Sequence, residues 1–317
     1  MKKFLEDLKK ELELKGMSKK EIEDIINDHE EMISQAIDDG VSEEDLNSRF
    51  GSPKVLADEL AFDEKSEPNE KEAKKTLAKK MSFKLNGKPI DIVIDLVVDD
   101  VSIELSDDQE IHVLSKKEIK EDKYEVSFND NELRIVAKNK NKSSFFSSSS
   151  SNDFKIFIPE KALIDTIMCN MVNGDLEVND LTSNSLKLSG VNGDLELEKL
   201  ITKKAKLNIV NGDIVLKSFN ADQLIVSLVS GDMEIKHAEI EHDLILNTVS
   251  GDFQIRNTTC DTLELHTVSG DIDGEELYPN RVKLQSVSGD INIENKEKKD
   301  IEIVSKSTIS GHINIEI

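Results

Sequence analysis

Val172-Asn173-Gly174-Asp175, Val191-Asn192-Gly193-Asp194, Val210-Asn211-Gly212-Asp213, Val229-Ser230-Gly231-Asp232, Val249-Ser250-Gly251-Asp252, Val268-Ser269-Gly270-Asp271 and Val287-Ser288-Gly289-Asp290 are seven copies of one tetrapeptide. Successive glycines stand 19, 19, 19, 20, 19 and 19 residues apart, and a degenerate eighth copy, Ile309-Ser310-Gly311-His312, follows after 22. A fixed short period of this kind marks a stacked repeat architecture. A repeated surface suits contact along its length better than a single reaction centre.

The residues around each turn alternate apolar and polar, which is the strand period. Around Gly193 the apolar positions are Leu186, Leu188, Val191, Leu195 and Leu197, and around Gly231 they are Leu224, Val226, Val229, Met233 and Ile235. Each repeat therefore reads as strand, glycine corner, strand and variable connector. Glycine supplies positive φ, and Asn or Ser before it suits a tight turn. Asn-Gly between strands is also a hairpin signal, so a meander of hairpins is the competing arrangement. A meander needs a second regular reversal, and connectors such as Glu198-Lys199-Leu200-Ile201-Thr202 and Asn257-Thr258-Thr259-Cys260-Asp261 share no turn chemistry. The expected fold is mainly β, a single stack of parallel strands forming a β-solenoid of about 19-residue coils, preceded by a small all-α domain. In it an inward Val would stack on Val, and Asn on Asn, about 4.8 Å apart.

Composition narrows the function classes. The chain has 317 residues, 33% charged and 4% aromatic, with a net charge of −24. That balance argues against nucleic-acid binding, which needs clustered Lys and Arg, and against adsorption to anionic lipid. Cationic partners, including basic peptides or divalent ions, are the electrostatic match, and a protein partner or a cationic peptide is expected. No apolar run approaches the roughly 18 residues of a membrane span, and Met1-Lys2-Lys3-Phe4-Leu5-Glu6-Asp7 lacks the apolar core of a signal peptide. Cys169 and Cys260 have neither metal nor redox spacing, and Cys169 falls on an inward repeat position. The expected location is the cytoplasm, with the cell surface, reached by signal-less export, as the alternative.

Residues 1–62 read as helical. Phe4, Leu5, Leu8 and Leu12 form one stripe, and Ile22, Ile25, Ile26, His29, Met32, Ile33 and Ala36 form a second, with His29 read as a core or boundary residue. Ser18 with Glu21 makes a capping box, Gly40 a stop, Ser42 to Gly51 a third short helix, and Pro53 opens a fourth over 54–60. Residues 63–80 are a charged linker. Strand patterns fill 81–317, with irregular strands over 81–160 acting as first coils or as a cap, and regular repeats over 161–317. Within the irregular part, Phe145 and Phe146 followed by Ser147 to Ser151 form a serine-rich loop, and the two phenylalanines are a candidate contact.

With its Val-Ser-Gly-Asp repeats, its Phe-and-serine loop and the following Phe157-Ile158-Pro159, the segment from about 82 to 317 resembles the Toastrack (DUF4097) family of bacterial β-strand-repeat domains, which also carries an adhesin label. Residues 1–62 resemble the small helical HAAS (DUF1700-like) domain of bacterial signalling proteins, through Arg49-Phe50-Gly51-Ser52-Pro53-Lys54-Val55-Leu56-Ala57. The resemblance implies a right-handed β-helix-like fold and a role around cell-envelope stress. It carries no catalytic residues with it.

The Asp ladder (Asp175, Asp194, Asp213, Asp232, Asp252, Asp271, Asp290) beside the glycines is the strongest candidate for chemistry. Carboxylates one coil apart repel by roughly 0.8 kcal/mol even in water, so turn N–H groups, Lys or a cation must offset them. Calcium-binding solenoids use a different, nonapeptide pattern, which favours turn capping with structural calcium as the alternative, and no cofactor or metal site is expected. A glycosidase needs two carboxylates made unequal by their surroundings, and a uniform ladder lacks that asymmetry. The sequence thus points to a non-enzymatic scaffold that binds a protein or cationic peptide in envelope stress signalling, the alternative being a surface adhesin or peptide sensor. Pairing of copies through the solenoid ends, where Ile313 to Ile317 forms a strand, is a further expectation.

Overall fold

The computed structural model describes residues 2–14, 22, 26, 53, 54, 79–138, 151–297 and 299–316. The capping box at Ser18, the Gly40 stop, the third helix, most of the second stripe and of the fourth helix, and Phe145 and Phe146 lie outside the described residues. Two compact units are present, one holding the N-terminal helix and the other the strands.

In the first unit, α1 (Lys2–Leu14) buries Phe4, Leu5, Leu8 and Leu12, the stripe at i, i+1, i+4 and i+8 that the sequence presents. Ile22 is also buried, and Pro53 and Lys54 are helical.

The second unit begins at β1 (Lys79–Lys84). The regular coils run through β8 (Ile164–Asn173), β9 (Leu176–Asn179), β10 (Thr182–Asn192), β11 (Leu195–Asn211), β12 (Ile214–Ser230), β13 (Met233–Ser250), β14 (Phe253–Thr267) and β15 (Ile272–Ser286). They close with β16 (Ile291–Glu294), β17 (Glu302–Thr308) and β18 (Ile313–Glu316). Pairing between these coils is parallel, with Leu188 opposite Leu207 and Leu207 opposite Val226, so each residue lies on its counterpart one coil away. A meander would pair neighbours antiparallel. The fold is the parallel β-solenoid.

Counted from each glycine, the inward positions are −7, −5 and −3, then +2 and +4, then +7 and +9. In the coil of Gly212 these are Ala205, Leu207 and Ile209, then Ile214 and Leu216, then Phe219 and Ala221, all buried. Three corners separate the three runs. At the first, Gly174, Gly193, Gly212, Gly231 and Gly251 hold φ between 128° and 142°. A Cβ on Gly231 would lie 2.2 Å from the Gly212 carbonyl oxygen, so side chains are excluded by contact as well as by φ. Gly270 and Gly289 leave the positive-φ region yet keep that contact, at 1.8 and 2.0 Å. There the corner is held instead by Thr267 Oγ1, which accepts the Gly270 N–H at 3.0 Å, and by the Ser286 hydroxyl, which donates to the Gly289 carbonyl.

The second corner corrects the sequence reading of the connectors. Asp180, Lys199, Ser218, His237, Asn257 and Glu276 all stand six residues after a glycine, and all have φ between 51° and 57°. The connectors share a left-handed residue of six different types. Its effect is to place two successive side chains outward, after which Leu181, Leu200, Phe219, Ala238, Thr258 and Leu277 turn inward at +7. Each such residue costs about 1–2 kcal/mol in backbone conformation, and the buried +7 side chain offsets that. The third corner absorbs irregular lengths. The register shifts between Ile240 and Asp243, which houses the one 20-residue spacing without displacing the glycine row.

A second correction concerns the Val of the tetrapeptide. Val172, Val191, Val210, Val229, Val249, Val268 and Val287 point outward, between 39% and 47% exposed, and Ile309 is 81% exposed. Alternation from −7, −5 and −3 requires this, because −2 has the opposite parity.

The irregular strands cover the start of the solenoid. β2 (Ile90–Leu96) and β3 (Val101–Ser106) form a first coil under β8 and β9, with Asp99 and Asp100 at its corner. Beyond it, β6 (Glu132–Ala137) and β7 (Phe154–Pro159) pair with β2 and β3, while β5 (Tyr124–Asn129) and β4 (Glu110–Ser115) add antiparallel contacts. Asp99, 1% exposed, ties this region together. Its Oδ1 accepts the Tyr124 hydroxyl at 2.8 Å and the Asn152 N–H at 2.7 Å. Burial raises its pKa above the ordinary 3.8 despite both bonds.

Substitutions at these contacts test their roles. Gly231→Val should lower stability by more than about 3 kcal/mol, since it adds a backbone clash to a strained φ. Gly87→Ala, at φ 79° with open space around it, should cost only about 1–2 kcal/mol, and thermal melts compare the two. For Asp99, the folded state binds the proton more tightly than the unfolded chain, so stability falls as pH rises from about 3.8 through the folded value. An asparagine in its place would present one Oδ1 to the same two donors without a buried charge. We expect Asp99→Asn to melt at or above the wild-type temperature at pH 7, with the gap closing toward pH 4. Asp99→Leu should instead lose about 1–3 kcal/mol for each donor left unpaired.

Candidate interaction surface

The sequence singles out the glycine–aspartate corner, and the structure sets its members in a row. Gly174 to Gly289 form the backbone floor described above. Beside them, the carboxylate of each Asp reaches to the next coil. Asp175 Oδ1 accepts the N–H of Asp194, Asp194 that of Asp213 and Asp213 that of Asp232, each at 2.8 Å. Asp232, Asp252 and Asp271 continue the chain, and Asp290 accepts from His312. Asp100 starts it by accepting the N–H of Asp175 at 2.9 Å. The main chain bonds in the opposite sense, with the N–H of Leu176 donating to the Asp194 carbonyl and that of Leu195 to the Asp213 carbonyl. Side chain and backbone thus tie each pair of coils from both directions. An N–H donor at every carboxylate is what makes a column of like charges tolerable.

One carboxylate oxygen of each pair is committed to the ladder, and the group itself is exposed. Among the described residues no Lys or Arg reaches these aspartates. The one basic side chain beside them among those residues is the His312 imidazole, whose Nδ1 lies 3.5 Å from Asp290. The cations of the solenoid serve other rows, as in Lys217 with Glu196 at 2.6 Å, Arg256 with Glu234 at 3.2 Å and Lys283 with Glu264 at 3.3 Å. Two positions beyond the Asp row, Glu177 adds further acid, while Glu196 and Glu234 are the partners of Lys217 and Arg256. At its start the row borders a groove of about 440 Å³ lined by Asp100, Asp153, Asp175, Glu177, Asp194 and Glu196, with Lys155 as the one basic wall residue. The face attracts cations over its whole length. Among the described residues no group of three His, Cys, Asp or Glu side chains is placed to hold a metal ion.

Across the glycine corner lies a surface that the sequence reading missed. The outward Val row runs beside Asn173, Asn192 and Asn211, whose amides are linked coil to coil, Asn192 to Asn173 at 2.7 Å and Asn211 to Asn192 at 2.9 Å. A groove of about 530 Å³ separates the Val row from Ser227, Asn247, His266 and Gln285. The signal was present in the parity of the offsets. The cysteines take no part, since Cys169 and Cys260 are both buried free thiols. Burial pushes the Cys260 thiol up to about 12 and the Cys169 thiol higher still, so neither forms a reactive thiolate.

Among the described residues no helix is long and apolar enough to cross a membrane. No curated protein matches the chain. Residues 3–59 match the HAAS family model. Among solved structures, a Parabacteroides distasonis protein described as a "putative lipid binding protein" is 19% identical, with a TM-score of 0.52 over 75% of this chain and 96% of that one. A Bacteroides fragilis protein described as a "putative adhesin" is 18% identical, with a TM-score of 0.41 over 75% of this chain and 97% of that one. Likeness to the first of these, at this identity, speaks for the fold alone. The Toastrack DUF4097 family model matches residues 90–242 and 217–317, the first coil and every repeat after it, and the chain belongs to that family.

Proposed function

We propose that this protein is a non-catalytic bacterial scaffold that acts in cell-envelope stress signalling by binding a protein or a cationic peptide along its solenoid. The observation that carries the reading is the Asp row, seven carboxylates bonded alike and met by no Lys or Arg among the described residues. A catalytic carboxylate pair needs two groups held unlike each other. Here every one but Asp290, which meets His312 on the last coil, lies between two other aspartates. Such a row draws a basic partner from a distance and lets it engage any coil. The HAAS match adds a region of the kind found in signalling proteins and supports a second contact there. We place the protein in the cytoplasm, with the partner an intracellular one.

Two measurements test this. Protease added to intact source cells should leave a tagged chain whole and digest it after lysis. Digestion in intact cells would move the protein to the surface and favour the adhesin reading. In binding assays, an interacting protein should be retained at about 50 mM salt and released by several hundred millimolar. Asp213→Asn with Asp232→Asn and Asp252→Asn should weaken its retention while leaving the melting temperature within a few degrees, because Asn Oδ1 still accepts the ladder N–H. Retention indifferent to both salt and these substitutions would remove the Asp row from the function.

A further inference from the structure

We propose that the outward Val row and the Asp row beside it form one composite docking face for an amphipathic helix, whose apolar side covers the valines and whose basic edge lies over the aspartates. The proposal rests on the reading that the solenoid binds a protein or peptide, and it names the surface and the partner's form.

The first observation is charge. Positions −4, −2 and −1 in eight coils are 24 outward residues, from Asn170, Val172 and Asn173 to Ser307, Ile309 and Ser310. None of them is Asp, Glu, Lys or Arg, in a chain in which 33% of residues are charged. At the chain's average, about a third of the 24 would be charged. Interface cores are depleted of charge in this way, whereas a solvated strand face is not. The second observation is exposure. The valines are 39–47% exposed in an unbroken column, and Ile309 is 81% exposed. Single exposed apolar side chains are ordinary, but a contiguous column is not.

The third observation is size. Seven coil-to-coil steps of about 4.8 Å make the band roughly 34 Å long, and four residues of strand make it roughly 10 Å wide. A helix is about 10–12 Å across with its side chains and rises 1.5 Å per residue, so one helix of roughly 22 residues fills the band. Its apolar residues at i, i+3 and i+4 recur about every 5.4 Å, close to the spacing of the coils, and so meet successive valines. The groove between the valines and the row of Ser227, Asn247, His266 and Gln285 receives those side chains, and its hydroxyl and amide wall can meet polar groups at the helix margin. A second copy of the chain fits less well. The band offers roughly 340 Å² of footprint against about 800 Å² per partner in a stable interface. Two copies packed antiparallel would also bring their Asp rows together. Those aspartates lie three positions from the valines and meet no Lys or Arg among the described residues, which sets the basic edge of the helix on that side.

The test is a fluorescence-anisotropy titration of the full chain with a labelled model helix of about 22 residues carrying Leu on one face and Lys along one edge. A peptide of the same composition, scrambled to destroy the apolar face, is the control. We expect the amphipathic peptide to bind and the scrambled one to bind at least about tenfold more weakly. The triple variant Val229→Thr, Val249→Thr and Val268→Thr keeps β-branched residues at exposed positions, and a wild-type melting curve will confirm its fold. It should weaken binding about tenfold or more, while the Asp213→Asn, Asp232→Asn and Asp252→Asn variant should flatten the salt dependence. Equal binding of both peptides, or full binding by the Val→Thr variant, would overturn the proposal, and so would no binding of either peptide. A wild-type dimer in sedimentation that the Val→Thr variant dissociates would assign the face to self-association instead. If a cellular partner remains bound to the Val→Thr variant yet is lost from the Asp→Asn variant, the scaffold reading stands and this proposal falls.

Discussion

Every coil is held in place by the approach of one glycine backbone to the next. The carbonyl of Gly193 occupies the space where a Cβ on Gly212 would be, at 2.0 Å, and the same holds from Gly174 to Gly311. This contact fixes the height of each coil and the side from which the chain turns. Inward positions stack only because the corner is the same in every coil. The buried column of Leu197, Leu216, Ile235 and Ile255 is one consequence. The ability of the third corner to take an extra residue at Ile240–Asp243 is another, since length can vary there without moving the corner that sets the register.

Stacking like on like is favourable for Leu and Asn and unfavourable for Asp. The solenoid cannot avoid a column of carboxylates once Asp follows each glycine. It uses them as acceptors for the N–H of the coil beyond, a bond that runs against the direction of the backbone ladder. Since the turn bond needs only one oxygen, the charge remains turned to solvent. The same side chain therefore serves the fold and leaves the face acidic. A row of Asn would serve the fold about as well and would draw no cation.

Much of this was legible in the sequence because a period needs no tertiary information. The glycine spacing, parallel stacking, the buried face of α1 and the inward Cys169 all follow from local pattern. The direction of the Val row was legible too, yet only through parity. Leu186 and Leu188 fix the inward face, and Val191, three further on, must leave it. The second corner was not legible. Its residues are Asp180, Lys199, Ser218, His237, Asn257 and Glu276, and Lys, Ser and Glu are not among the types enriched at positive φ. Their conformation is imposed by the inward pull of the next side chain, as with Phe219 after Ser218. The ties of Asp99 to Tyr124 and Asn152 were equally hidden, since no local pattern links residues 25 and 53 positions apart.

The Val row raises the question of what the fold itself demands. A strand residue beside a corner benefits from β-branching, and Thr supplies it. The chain uses Thr248, Thr267 and Thr308 one position earlier, where Thr267 and Thr308 bond the corner glycines. Thr at −2 would keep the strand geometry and suit solvent better. Yet that position is Val in seven coils and Ile in the eighth, and never polar. Its apolar character therefore exceeds what the solenoid needs to stand. An exposed apolar column also carries a cost, because it invites unwanted association. The net charge of −24 opposes that association between copies without placing a single charged residue in the band. Repulsion at long range and an uncharged surface at short range together admit a partner of opposite charge and exclude a second copy. That is the arrangement expected of a face kept for a basic, amphipathic ligand.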